Sequence, residues 1–321
     1  MYYIAMIKPI KIGNVEIDNN IFLAPMAGYT DVAFRSVAKK YGVGLTYTEL
    51  VSAKAISYGS KATKEMLHLE ENDHPCAVQL FGKEPEAFKK AIESGVLDEF
   101  DIIDINMGCP APKVIKNNEG SALLKNIKLA EEIIKTCVNS TTKPVTVKFR
   151  SGFTQDEIIA VGFAKMCERA GASAICLHPR TTDQKYAGHS DWSLFGQVKQ
   201  SVNIPVIASG DIKTIEDLEF LHKIYGVDAY MIGRASLGNP HIFKELQTGE
   251  KEYELKQKIS DVFEQISIMR KYFDDKYICG NIKGKIVYVL HQKKYIELLQ
   301  KICRAQSLEE IIEYLNTLIR E

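Results

Sequence analysis

The chain has 321 residues, 45% of them hydrophobic and 26% charged, which is the composition of a globular protein and not of a disordered one. Forty-one basic residues balance forty-one acidic ones. That balance excludes a uniformly cationic nucleic-acid coat but leaves room for a local basic patch. There is no run of about 18 apolar residues to span a membrane. The start, Met1 to Lys8, lacks the cationic and long apolar stretches of a secretory signal. Seven scattered cysteines without a CxxC pair argue against disulfides and structural zinc, so a reducing cytoplasm is expected, with no metal.

Short apolar, β-branched runs recur along the first 249 residues. Strands are expected at Ile21–Pro25, Leu45–Glu49, Cys76–Phe81, Ile102–Asn106, Val145–Phe149, Ala174–His178, Val206–Ser209 and Ala229–Gly233. Each reads as buried on both sides, as parallel strands do. Helical patterns lie between them at Asp31–Tyr41, Glu84–Ser94, Leu129–Val138, Asp156–Ala170, Trp192–Gln200 and Ile215–Tyr225. The first opens on the cap Thr30-Asp31 and ends at Gly42; the second has Pro85 in its first turn. Eight strands alternating with helices predict a (β/α)8 TIM barrel. After Gly249 strands cease, and helical patterns at Leu255–Phe273, Ile286–Ile302 and Leu308–Ile319 predict a small all-helical domain over residues 250–321.

Barrel enzymes carry their chemistry where the strands end. The first strand runs into Pro25-Met26-Ala27-Gly28, whose small residues let backbone approach a flat ligand. The third places Gln79 at the mouth, the fourth Asn106 and the loop Gly108-Cys109-Pro110, the fifth Lys148 and the sixth His178. The seventh and eighth end in Ser209-Gly210-Asp211 and Gly233-Arg234, the usual phosphate position of this fold. Singly, Lys148 reads as a rim lysine and His178 as a core histidine. Together with Gln79 and Asn106 they form a ring of donors suited to a planar, carbonyl-bearing heterocycle with a phosphate tail, and flavin mononucleotide (FMN) is such a molecule. No GxGxxG motif follows a strand, so a Rossmann dinucleotide site is not supported. Cys109, in a loop that continues neither sheet nor helix, is the one cysteine placed to act as nucleophile, acid or redox group.

Five segments, in order, resemble the bacterial tRNA-dihydrouridine synthases: Ala24-Pro25-Met26-Ala27-Gly28-Tyr29-Thr30-Asp31, Thr48-Glu49-Leu50-Val51-Ser52-Ala53, Gln79-Leu80-Phe81-Gly82, Asp104-Ile105-Asn106-Met107-Gly108-Cys109-Pro110 and Ala208-Ser209-Gly210-Asp211-Ile212. The resemblance is strong over residues 8–245, and Asn-x-Gly-Cys-Pro is its most specific part. It implies an FMN barrel with a helical tRNA-binding domain, reducing the C5–C6 double bond of particular uridines, with NADPH (or NADH) recharging the flavin. It makes Cys109 the acid that protonates C5 as hydride reaches C6. It places Pro25, Met26 and Ala27 over the flavin ring, Gln79 and Lys148 on its polar edge, His178 nearby, and Asn106 against flavin or uracil. Gly210, Asp211, Gly233 and Arg234 would hold the phosphate, with Ser209 beside them. Ser209 stands where the family commonly has asparagine, and Pro179 where it has glycine.

Between Arg270 and Arg304 nine basic residues face three acidic ones, interleaved with Tyr272, Tyr277, Tyr288, His291 and Tyr295. Taken alone, such a charge run is more often a solvated helix face; with the resemblance, it is what phosphate neutralisation and stacking on RNA require. Arg270, Lys271, Lys293 and Lys294 there, with Arg180 on the barrel, are the expected RNA contacts of a monomer. The competing reading is a small-molecule flavin reductase of the dihydroorotate or dihydropyrimidine dehydrogenase kind, which would need no basic helical tail.

Overall fold

The computed structural model describes residues 6–320; the first residues, read above for a secretory signal, lie outside them. Eight parallel strands form the barrel: β1 (Ile21–Leu23), β2 (Thr46–Ser52), β3 (Cys76–Phe81), β4 (Ile102–Met107), β5 (Val145–Arg150), β6 (Ala174–His178), β7 (Val206–Ser209) and β8 (Ala229–Ile232). They are hydrogen-bonded in the cyclic order expected of the fold, with β1 beside β8. The ring closes between β1 and β2, where Phe22 bridges Leu45 and the Leu23 amide donates to the Leu45 carbonyl at 2.9 Å. All eight expected strands are present within a few residues of their expected ends.

Two apolar layers hold the barrel. The larger lies between strands and helices. The smaller fills the bore with Phe22, Tyr47, Ala77, Ile102, Ala174, Cys176, Ile207, Ala229 and Met231. An N-terminal hairpin, Ile10–Ile12 paired with Val15–Ile17, was not legible in the sequence because its strands are only three residues long. It drives Ile12 and Ile17 into that bore and seals the end where the strands begin.

Along each strand successive side chains alternate between bore and helix layer. Hence Asp104 and Asn106 share the bore face of β4, opposite Thr146 and Lys148 of β5.

The tail comprises four helices, Leu255–Met269, Asp275–Val289, Ile296–Arg304 and Leu308–Arg320. The single helix expected over Ile286–Ile302 is two. Asp274 caps the earlier one through the Tyr277 amide, and that helix ends at Leu290 before a short turn at Lys293–Tyr295.

The tail is not a free module. Ile259, Val262 and Ile266 belong to the same apolar cluster as Phe34 and Val37 of the barrel's first helix, Val32–Lys40. Asp261, fully buried, accepts from Tyr41 at 2.6 Å, from Tyr253 at 2.5 Å and from Lys40 at 3.3 Å. Lys285 reaches Asp31 at 2.5 Å with both side chains almost wholly buried. No helix among the described residues is long and apolar enough to cross a membrane.

Candidate active site

At the mouth of the barrel one hydrogen-bonded chain joins three strands. Thr146 donates to Asp104 Oδ1 at 2.5 Å, and Gln79 Nε2 donates to Asp104 Oδ2 at 2.6 Å. Asn106 Nδ2 donates to Gln79 Oε1 at 2.9 Å. Asn106 Oδ1 then accepts from the amides of Gly108 at 3.2 Å and Cys109 at 2.9 Å. Gln79 and Asp104 are fully buried, and burial pushes the Asp104 carboxyl up to about 6, against hydrogen bonds from Gln79 and Thr146. Lys148 lies half-buried beside this chain, with its ammonium 3.5 Å from Ser209 Oγ. The sequence singled out Gln79, Asn106 and Lys148; the fold brings them together.

Cys109 heads a loop pinned at several points. Its carbonyl accepts from the amide and hydroxyl of Ser121, at 3.2 and 2.8 Å, and the loop returns through Gly120 in the left-handed region. A Cβ at Gly120 would lie 3.0 Å from the Cys109 carbonyl oxygen and 2.8 Å from Val114, so glycine is required there. Burial raises the Cys109 thiol above its ordinary value, only partly offset by the Ala111 amide and Arg150. The other cysteines are buried except Cys303, which is exposed on the tail. Arg150, two residues past Lys148, went unremarked in the sequence. It donates to the carbonyls of Gly108, Thr181 and Lys185 at 2.7 to 2.9 Å and lies under the Tyr186 ring, tying the fourth and sixth loops together. Its signal was its place on the same strand face as Lys148.

The loops expected to hold a phosphate present backbone. Gly210 and Asp211 both take left-handed conformations, and a Cβ at Gly210 would fall 2.5 Å from Ser190 Oγ and 2.7 Å from the His178 ring. Among the described residues the amides of Gly210, Asp211, Gly233 and Arg234 have no acceptor within the chain. Four amides without partners, beside the Arg234 guanidinium, suit an oxyanion. The Asp211 side chain itself cannot hold that anion. It accepts from Arg180 at 2.7 Å, the Ser190 amide at 2.8 Å and Arg234 at 3.1 Å, and Ser190 and Arg180 outweigh burial and hold the carboxyl below its ordinary value. Pro25 and Met26 are half-buried and Ala27 exposed on the loop after β1, with Met26 Sδ 3.9 Å from where a Gly233 Cβ would stand.

His178 sits behind this loop. Burial, and then the surrounding Lys148, Arg150, Arg180 and Arg234, hold it neutral. Its Nε2 faces Arg180 at 3.2 Å, and since a guanidinium only donates, the ring proton is on Nδ1.

Arg180 is the expectation that the structure overturns. It is 2% exposed, and all five of its N–H groups are taken: by Ala187, His178, Ser190, Gly188 and Asp211. It braces the sixth loop and has no donor left for RNA. On the tail, Arg270 is engaged by Asp275 through two bonds of 3.0 Å, and Lys271 by Glu70 at 2.6 Å, so these two expected RNA-binding residues are already paired. With Lys285 on Asp31, two positive charges of the segment are neutralised from outside it. Lys293 and Lys294 remain exposed, the latter 4.8 Å over the Tyr295 ring.

The family model for dihydrouridine synthases matches residues 22–318 of this chain. A tRNA-dihydrouridine synthase B of Vibrio parahaemolyticus is 41% identical over 236 residues, covering 74% of this chain and 73% of its own. A probable tRNA-dihydrouridine synthase of Aquifex aeolicus is 34% identical over 300 residues, covering 91% and 94%. Among solved structures, the old yellow enzyme homologue of Zymomonas mobilis aligns with a TM-score of 0.59 at 14% identity, over 78% of this chain and 94% of that one. The 6-hydroxypseudooxynicotine amine oxidase of Pseudomonas geniculata N1 aligns at 0.63 and 14%, over 77% of this chain, which spans about half the length of that enzyme. At such identities these two share the fold alone.

Proposed function

The chain belongs to the dihydrouridine synthase family, and from that premise we propose that it reduces uridine to 5,6-dihydrouridine in tRNA, with Cys109 as the proton donor. The observation that carries this reading is the anchoring of Cys109 to the amide chain that runs from Asp104 through Gln79 and Asn106. A flavin fits the mouth. Gln79, Asn106 and Lys148 offer donors to its polar edge, and Pro25, Met26 and Ala27 form one wall. The free amides of Gly210, Asp211, Gly233 and Arg234, with the Arg234 side chain, suit the single phosphate of FMN. Bound there, FMN supplies the two electrons as hydride, with NADPH as the favoured reductant to replenish them.

The chain's own residues supply the rest. Uracil is a poor electrophile, so saturation of C5–C6 needs a proton delivered to C5 as charge develops there. Cys109 gives that proton from Sγ and recovers one from solvent. Lys148 and Arg150 place positive charge at the mouth, where it stabilises the developing enolate.

A uridine held in folded tRNA must first be extruded, at a cost of a few kcal/mol that contacts elsewhere offset. The exposed Lys276, Lys293, Lys294, Lys301 and Arg304 of the tail supply such contacts. The test is to map dihydrouridine in tRNA from cells with and without the gene, and to release the bound cofactor by denaturation. Loss of the modification at defined positions, and FMN in the released fraction, are expected. Unchanged dihydrouridine, or FAD in place of FMN, contradicts the reading.

A further inference from the structure

We propose that Asp104 is a positioning residue: as a pure acceptor it sets the direction of the Gln79–Asn106 hydrogen-bond chain, and thereby holds the backbone of the Cys109 loop in place. The inference rests on Cys109 being the acid, and it adds a residue that touches neither cofactor nor substrate.

The argument is one of donor and acceptor polarity. An ionised carboxylate can only accept. Because Asp104 Oδ2 receives Gln79 at 2.6 Å, the amide of Gln79 must turn its nitrogen inward and its oxygen toward Asn106. Asn106 must then present nitrogen to Gln79, at 2.9 Å, and oxygen to the loop. That oxygen is what the amides of Gly108 and Cys109 require. Were Asn106 turned over, its N–H group would face the loop's N–H groups; were Gln79 turned over, its N–H group would face that of Asn106 and its oxygen would face the carboxylate. Asparagine and glutamine have no intrinsic preference between the two orientations. The buried anion at one end and the Gly108 and Cys109 amides at the other favour the same order, and the anion is the end that holds Gln79 in it.

The arrangement also leaves Gln79 and Asn106 each with a second N–H beyond the one the chain uses. Keeping an anion there costs stability, since burial lifts the carboxyl to about 6 even against the hydrogen bonds from Gln79 and Thr146 and the charge of Lys148. A residue kept for packing would not need to be charged.

The decisive variant is Asp104→Leu, similar in size and without an acceptor, studied in the full chain. Deuterium exchange resolved to the Cys109 amide reads the loop directly and does not depend on turnover. Exchange should accelerate by about tenfold, the effect of one hydrogen bond, while the barrel's strand amides remain protected. With tRNA as substrate, kcat should fall by at least about tenfold and KM should change less than about twofold.

The exchanged pair, Asp104→Asn with Gln79→Glu, restores the polarity. The new asparagine donates to the new carboxylate, whose other oxygen accepts from Asn106. Protection of the Cys109 amide should return to within a few-fold of wild type. If Asp104→Leu does not fold, Gln79→Met breaks the next link and must release the same amide. Unchanged protection in the variant that folds, or an exchanged pair no better protected than Asp104→Leu, overturns the proposal. Should the wild-type protein make no dihydrouridine while these exchange results hold, the functional reading fails and the positioning role of Asp104 stands.

Discussion

As the proposed acid, Cys109 is useful only while its thiol keeps its proton, and its surroundings favour that. Burial raises the thiol above its ordinary value near 9, with Arg150 and the Ala111 amide opposing only in part. The protonated form is therefore the majority species throughout neutral pH. The active form is lost as pH rises through that raised value, so the alkaline limb of tRNA reduction should lie above about pH 9. A limb centred below pH 8 would place the acid elsewhere. Replacing Cys109 by Ala should lower uridine reduction by about 10²–10⁴-fold, with FMN content and reduction by NADPH unchanged; Cys137→Ala, at a thiol buried in a helix, is the control. At this scale the sequence was legible where chemistry is concentrated. Gln79, Asn106, Cys109 and Lys148 announced themselves as polar groups at strand ends. Arg180 did the same and misled, because a strand-end arginine looks alike whether it meets a ligand or, as here, spends all five donors on its own loop. Asp104 was passed over because a carboxylate inside an apolar strand declares its role only through partners on two other strands.

The elements that join tail to barrel make a different prediction. Lys285 and Asp31 are 4% and 10% exposed, and Asp31 also caps the helix Val32–Lys40 through the Phe34 amide. Removing one partner of a buried pair strands the other charge and costs on the order of 3–5 kcal/mol, whereas removing both costs far less. Lys285→Met should therefore lower the thermal midpoint by several degrees, and Lys285→Met with Asp31→Ser should recover most of it, since serine still caps the helix. If the double variant is no more stable than the single one, the ion pair is not what fastens this helix. The barrel strands were readable as β-branched runs with turns at each end. The tail's helix Asp275–Val289 was read too late in the chain because its own apolar pattern is weak: its inner face carries Lys285 and Asn281 beside Ile278, Ile282 and Ile286.

Over the whole molecule the charges cancel, so long-range attraction for a polyanion is small and affinity must come from local excess. Arg270, Lys271 and Lys285 are spent on ion pairs, which leaves Lys293 and Lys294 among the exposed cations of the tail. Changing both to Ala should weaken tRNA binding and flatten the plot of log affinity against log salt by about 0.7–0.9 for each phosphate no longer neutralised. FMN content should not change; an unchanged slope would remove the tail from the RNA interface. The division at Gly249 also carries a prediction at this scale. The tail shares one apolar cluster with the barrel's first helix, so a chain ended at Gly249 should aggregate or unfold instead of persisting as a free flavin barrel.

The central claim is tested most directly by giving the purified protein FMN, NADPH and an unmodified tRNA transcript, then measuring nucleosides by mass. The account predicts a gain of two hydrogens at one or a few defined uridines, lost with Cys109→Ala although that variant keeps its flavin and its reduction by NADPH. A reduced flavin that leaves every uridine in the transcript untouched, or full conversion by Cys109→Ala, would contradict it.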